Sequence, residues 1–242
     1  MCEKCITEHE RLDRRSVLKF ALAAGVVFAS APQALAKGDK KPPKPENLLS
    51  PDSALERLMK GNDRYVEGVT KRYDFSRERK ALSKGQNPFA AVLSCADSRI
   101  APEYCFDAAR GGVFVCRVAG NFASDDITAS LEYAVQVLNT PLIIVLGHDG
   151  CGAVDATIKS IRDQTTLPGH LPSLVSAISP AVEAVRDTPG DLLENAIRRN
   201  VMLNVEKLSG APPILKSFVD DKKIRVVGGI YRIKSGRVEL VT

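Results

Sequence analysis

Two short segments of this chain carry side chains able to hold a metal ion: Cys95-Ala96-Asp97-Ser98-Arg99 and Gly147-His148-Asp149-Gly150-Cys151-Gly152. Thiolate sulfur and imidazole nitrogen are donors that Zn²⁺ prefers. Two thiolates also neutralise its charge, which eases burial. His148 and Cys151 lie three apart, a spacing that lets both converge on one ion from a loop-to-helix turn. A helix starting near Cys151 is expected to lower its thiol pKa and favour the metal-binding form. Cys95, His148 and Cys151 make three protein ligands, and three ligands with one exchangeable position describe a catalytic rather than a structural zinc. Asp97 and Arg99 alternate with Cys95 along what reads as an extended segment, so all three should project alike. Arg99 can grip the Asp97 carboxylate by paired hydrogen bonds and keep it ionised. Such a carboxylate can accept a hydrogen bond from zinc-bound water, or swing in as a fourth ligand. Zinc lowers the pKa of bound water from 15.7 to about 7; with two thiolates donating charge, a somewhat higher value than at a three-imidazole site is expected.

Taken singly, these residues say little. A cysteine at a buried strand end is ordinarily a core thiol, and an isolated Asp-x-Arg is ordinarily a surface pair or a helix cap. What raises them is where they fall. Phe89–Ser94 and Leu142–Leu146 are short continuous apolar runs, the pattern of strands buried on both faces, and each segment directly follows one. Val113–Val118 and Ile224–Val227 read as two further strands. Helices are expected from Pro51 towards Gly68, from Asp126 to Leu138, from near Cys151, from Pro172 to Arg186 and from Asp191 to Leu208. Lys71–Lys84 reads as a solvated basic stretch, and 228–241 as a terminal hairpin. Strands alternating with helices predict a single α/β domain with a mostly parallel central sheet flanked by helices. In such a sheet ligands bind where the carboxyl ends of strands meet at a topological switch point, which brings Cys95 and His148 together across more than fifty residues of chain.

Composition agrees with a globular enzyme and sets limits. The chain has 242 residues, 44% hydrophobic and 26% charged, with a net charge of +5. That excess is small and its signs are interspersed, so no nucleic-acid partner is expected. No G-x-x-x-x-G-K-[ST] loop is present, which argues against nucleotide-driven chemistry. Six cysteines are too sparse for a disulfide scaffold; Cys105 and Cys116 are assigned to no metal, Cys116 reads as a buried strand thiol, and a disulfide between the two is left open. His170 reads as a surface histidine.

Residues 1–36 have the layout of a signal peptide: a charged region ending in Arg14-Arg15, an apolar stretch from Phe20 to about Ala31, and Ala34-Leu35-Ala36 as a cleavage site. That stretch is too short for a stable membrane span. Arg14-Arg15-Ser16-Val17-Leu18-Lys19 resembles the twin-arginine export motif, which implies the twin-arginine export machinery as partner and a bacterial periplasmic or secreted location. Cys2 and Cys5 would leave with the signal. Residues 37–49, basic and proline-rich, read as a linker, and 50–242 as the catalytic domain.

The two segments together, with Phe114-Val115-Cys116-Arg117-Val118-Ala119-Gly120-Asn121 and Ser130-Leu131-Glu132-Tyr133-Ala134, resemble the β-class carbonic anhydrases from about Leu55 to the C-terminus. The resemblance implies a lyase carrying one Zn²⁺ per subunit, held by Cys95, His148 and Cys151. It further implies reversible hydration of CO₂ to bicarbonate and a proton, by attack of zinc-bound hydroxide, with Asp97 and Arg99 as the catalytic dyad. By matching positions it places Gln86, Phe114, Ala119 and Tyr133 in a narrow substrate pocket built across a subunit interface, so a homodimer or tetramer is implied. Two other readings keep the fold: hydrolysis of COS or CS₂, or a non-catalytic dimer that binds zinc and bicarbonate.

Overall fold

A computed structural model describes residues 49–241. The expected signal peptide, most of the expected linker, and Cys2 and Cys5 lie outside the described residues. The chain runs α1 (Pro51–Val66), α2 (Phe75–Leu82), β1 (Ala90–Ser94), α3 (Pro102–Cys105), β2 (Val113–Arg117), α4 (Asp125–Gln136), β3 (Leu142–His148), α5 (Gly152–Arg162), α6 (Leu171–Glu183), α7 (Leu192–Ser209), α8 (Ile214–Asp220), β4 (Arg225–Tyr231) and β5 (Val238–Val241).

The five strands lie in the order β2-β1-β3-β4-β5. The first four are mutually parallel, and β5 returns antiparallel to β4. β1 and β3 are buried along their whole length, which explains their unbroken apolar sequences: with helices over the sheet there is no solvated face to pattern for. From β1 the chain moves outward to β2, then crosses back to the other side of β1 for β3. The β1–β3 boundary is therefore the switch point, and Ser94 of β1 pairs with Leu146 of β3 there.

Helix α7 packs across β3 and β4. Its approach explains two glycines. A Cβ on Gly147 would sit 2.6 Å from Val201 Cγ2, and one on Gly228 would sit 2.7 Å from both Val201 Cγ1 and Val241 Cγ2. Gly228-Gly229 thus belongs inside strand β4 rather than in a turn, and the expected fourth strand and the first arm of the expected hairpin are one continuous strand.

Side-chain caps mark the starts of α1, α2, α4 and α7. Ser50 accepts the Ser53 N–H ahead of Pro51, and Asp191 accepts the Glu194 N–H at 2.8 Å. The basic stretch Lys71–Lys84 departs from expectation by forming α2, whose start Asp74 caps by accepting the Ser76 and Arg77 N–H groups. Arg110 lies over the Phe75 ring at 4.3 Å, pinning this polar helix from outside. No helix among the described residues is long and apolar enough to cross a membrane.

Candidate metal centre

The loops leaving β1 and β3 meet at the switch point. Cys95 follows the last residue of β1, His148 is the last residue of β3, and Cys151 caps α5. Gly150, at φ +60°, makes the turn that brings Cys151 back beside His148. The ligand atoms of Cys95, His148 and Cys151 all lie within 4.8 Å of one another, and all three residues are buried, His148 completely.

The state of His148 is the fit test for a metal. Its Nδ1 lies 2.9 Å from the Asp149 carbonyl oxygen. A carbonyl only accepts, so Nδ1 carries the proton and Nε2 is left as a bare lone pair. That Nε2 is buried with no hydrogen-bond partner. Leaving a buried acceptor unpaired costs about 1–3 kcal/mol, and here it faces two sulfurs. A cation at their centre satisfies all three donors, and the soft S₂N set suits zinc.

Electrostatics point the same way. The Cys151 thiol donates to the Cys95 sulfur and holds Cys95 down at about 4, against the opposing effect of burial; the Gly120 N–H adds to the lowering. Cys151 moves upward because it keeps the proton it shares with Cys95, is buried, and faces the Cys95 charge. The α5 N-terminus does act on Cys151 in the expected direction, through the Val154 and Ala153 N–H groups, but Cys95 outweighs it. Burial disfavours a charged His148, yet the adjacent Cys95 thiolate more than offsets this, so the ring's proton affinity is raised. The cluster thus attracts positive charge at the point where its three donors meet.

Asp97 and Arg99 form a bidentate pair: Arg99 Nε donates to Oδ1 at 2.9 Å and Nη2 donates to Oδ2 at 2.7 Å. The local geometry differs from the expected extended strand. The Arg99 backbone N–H also donates to Asp97 Oδ1 at 2.9 Å, and the Ile100 N–H to the Asp97 carbonyl at 3.2 Å. The segment therefore turns, because an Asp side chain can capture a backbone N–H two residues on. The Arg99 guanidinium holds the Asp97 carboxyl well below the usual carboxylate range. Asp97 Oδ2 lies 3.9 Å from His148 Nε2, which sets a fixed carboxylate beside the donor cluster.

Three supporting residues escaped the sequence reading. Arg117, at the end of β2, donates to the Cys95 carbonyl at 3.0 Å and to the Asp97 carbonyl at 2.7 Å, fixing the first segment's backbone. Asp149 Oδ1 accepts the Ile233 N–H at 3.0 Å, tying the second segment to the β4–β5 hairpin. The Gly120 N–H donates to Cys95 Sγ at 3.3 Å. Arg117 and Gly120 both sit within the 114–121 run, so position was the available signal.

The four expected pocket residues divide. Ala119 immediately precedes Gly120 and so lies beside Cys95. Phe114 sits on edge strand β2 against Tyr133 of α4, ring centroids 6.3 Å apart, and Tyr133 is 48% exposed. Gln86 precedes β1 and is exposed, at the opposite end of the strand from Cys95. At about 3.3 Å per residue it is roughly 20 Å or more from the metal ligands of its own chain. Cys105 and Cys116 are free, buried thiols, so the disulfide left open is not formed. His170 is exposed ahead of α6. Two cavities of about 850 and 750 Å³ open elsewhere, both lined by Tyr73, Asp107 and Arg110.

Comparison with known proteins adds an independent line. A family profile described as carbonic anhydrase matches residues 90–238. Carbonic anhydrase 2 of Mycobacterium tuberculosis is 36% identical over 192 residues, covering 79% of this chain and 93% of that protein. The β-carbonic anhydrase CcaA superposes with a TM-score of 0.61 at 29% identity, covering 78% of this chain and 92% of that one. A Coccomyxa β-carbonic anhydrase, solved with acetazolamide, gives a TM-score of 0.61 at 25% identity over 77% of this chain and 86% of that one.

Proposed function

The chain belongs to the β-class carbonic anhydrases, and from that premise we propose that it is a zinc enzyme hydrating CO₂ reversibly to bicarbonate and a proton. The observation that carries the zinc assignment is the buried, unpartnered His148 Nε2 facing the Cys95 and Cys151 sulfurs. Cys95, His148 and Cys151 would hold the ion. When bound, Zn²⁺ acts as a Lewis acid that brings the pKa of water from 15.7 towards 7 and so supplies a nucleophile near neutrality.

The rest is done by the chain's own groups. Asp149 fixes the His148 tautomer through its carbonyl, so that Nε2 is the donor atom. Arg99 keeps Asp97 ionised, which makes Asp97 an acceptor only. Asp97 Oδ2 can therefore take a hydrogen bond from water near the cluster and set the direction of its lone pair, while having no proton of its own to give. Arg117 keeps both backbone carbonyls of the loop in place, so the carboxylate and the Cys95 sulfur hold a constant separation.

Gln86, Phe114 and Tyr133 serve the pocket of a second copy. They lie on an exposed loop, an edge strand and an exposed helix face, and Val137 just past the end of that helix is 54% exposed. The assembly is a homodimer or a higher oligomer. The sequence motifs 14–19 and 34–36 support export through the twin-arginine machinery to the periplasm.

Stopped-flow CO₂ hydration with a pH indicator tests the reading on zinc-loaded protein of measured metal content. Hydration that scales with zinc content is expected. Absence of activity between pH 7 and 9 in fully loaded protein overturns it.

A further inference from the structure

Helix α7 carries a run of polar groups that the catalytic reading does not use. Asn200 and Asn204 are 2% and 6% exposed, and Lys207 follows one turn later on the same face. All three aim at the loop between β2 and α4. Asn200 Nδ2 donates to the Gly120 carbonyl at 2.8 Å. Asn204 Oδ1 accepts the Ala123 N–H at 2.7 Å, and Lys207 Nζ donates to the Ala123 carbonyl at 2.6 Å. Asn204 Nδ2 in turn donates to the Asn200 carbonyl and side-chain oxygen at 2.8 and 3.2 Å, which orients the Asn200 amide. The neighbouring core positions of the helix are apolar: Ala196, Ile197, Val201 and Leu208. Buried amides are costly unless paired, so packing alone would be served by more of the same apolar residues.

The gripped loop touches the metal cluster at one atom. Gly120 N–H donates to Cys95 Sγ at 3.3 Å. Gly120 is held at φ +84°, and a Cβ there would sit 2.5 Å from Ile178 Cδ1. Its carbonyl is anchored by Asn200 on one side of Cα and its N–H meets the sulfur on the other. A thiolate that accepts an N–H bond has part of its lone-pair density withdrawn, and is a weaker, more tightly oriented donor to a metal.

We infer that Asn200 is a positioning residue that sets the donor strength of the Cys95 sulfur by fixing Gly120. The inference rests on the metal reading of the cluster and not on the identity of the substrate. Asn204 acts one step further back, holding the Asn200 amide and the loop together.

The test uses full-length protein loaded with Co²⁺, whose sulfur-to-metal charge-transfer band reports the electron density on the ligating sulfurs. Asn200→Leu keeps the side-chain volume and removes the donor. Its band is expected to move to lower energy, and release of metal to an excess of chelator to change by about tenfold, the usual range for loss of an outer hydrogen bond. Leu208→Ala, on the same helix and with an apolar side chain that makes no hydrogen bond, should lower the unfolding midpoint without moving the band. An Asn200→Leu protein that loses stability as Leu208→Ala does, with the wild-type band and release rate, overturns the inference. If Asn200→Leu does not fold, Asn204→Leu is measured in its place; the same shift at smaller size is expected, and an unmoved band overturns the inference equally. Wild-type protein that binds Co²⁺ with this band yet hydrates no CO₂ as the zinc form would overturn the proposed function and leave the Asn200 assignment standing.

Discussion

Replacing Asp97 by Asn separates what the dyad does for catalysis from what it does for folding. The carboxylate accepts three hydrogen bonds, from Arg99 N and Nε on Oδ1 and from Arg99 Nη2 on Oδ2. An amide has one acceptor oxygen. With that oxygen at the Oδ1 position, the new NH₂ faces Arg99 Nη2 at a distance of 2.7 Å, donor against donor; flipped, it loses the other two bonds. At least one charge-assisted bond is lost either way, together with the ion pair. The Arg99 side chain is 52% exposed, so water replaces much of the loss. An exposed pair contributes little to stability, so Tm should fall by no more than roughly 4 °C. Zinc content should be unchanged, because the cluster is filled by Cys95, His148 and Cys151, with Asp97 Oδ2 at 3.9 Å from His148 Nε2. The hydration rate should fall much further, by about 10²–10⁴, the usual worth of a positioned proton acceptor. Stopped-flow hydration, metal analysis and thermal melts on one preparation decide the matter. An undiminished rate would show that Asp97 does not orient the nucleophile. A rate lost in step with zinc would show that Asp97 holds the metal instead, and either result refutes the argument.

Cys95 is held down at about 4, whereas burial pushes Cys105 up to about 12 and Cys116 also upward; after chelation, iodoacetamide near neutral pH should label Cys95 first among the described cysteines, and Cys105 and Cys116 only on unfolding, as peptide mass spectrometry would report. Burial, then the Asp107 carboxylate, push Tyr73 up to about 12, so the fold favours its protonated form. That contribution is complete below pH 10 and is lost as pH rises towards 12. Tyr73→Phe, which removes the 2.6 Å bond to the Asp107 carbonyl, should cost about 1 kcal/mol at neutral pH and flatten the alkaline loss in urea titrations. Gly147→Ala places a methyl 2.6 Å from Val201 Cγ2 and should cost about 1–3 kcal/mol; Val201→Ala should relieve part of it, and strictly additive losses in a double-mutant cycle would contradict the packing described.

The parts legible in the sequence were those where one physical signal dominated. β1 and β3 lack any polar alternation because both faces are covered, and only a buried strand of that length reads so. The convergence of Cys95 with His148 and Cys151 followed from strand ends meeting at a switch point, a consequence of topology rather than of local pattern. The misreadings had competing causes. α2 is so charged that its periodicity resembles solvated coil, and its stability comes from the Asp74 cap and from Arg110 stacked on Phe75. α3 and α8, four and seven residues long, are too short to show a period. The fourth strand and the first hairpin arm read as separate pieces, with Gly228 at their junction; in β4 that glycine marks the place where Val201 of α7 approaches closely. Asp97 and Arg99 do pair as their chemistry predicts, but not through alternation along a strand, because the Asp side chain folds the backbone into a turn.

The division of the site has a consequence for how the protein works. Arg117, Gly120 and Asp149, which brace the three donors, all lie at the carboxyl end of the sheet. Gln86 lies at the other end, and Phe114 with Tyr133 on the outer edge, where nothing in the same chain covers Tyr133 beyond about half. Metal binding is thus a property the single chain can satisfy by itself, since its donors are already within 4.8 Å and held by second contacts. A pocket that includes Gln86 cannot be, because β1 is a rigid hydrogen-bonded spacer between that residue and Cys95. Holding the metal draws on the switch point alone, whereas the proposed pocket draws on the outer edge as well, and the proposed pairing of two copies through that edge would bring both to one place.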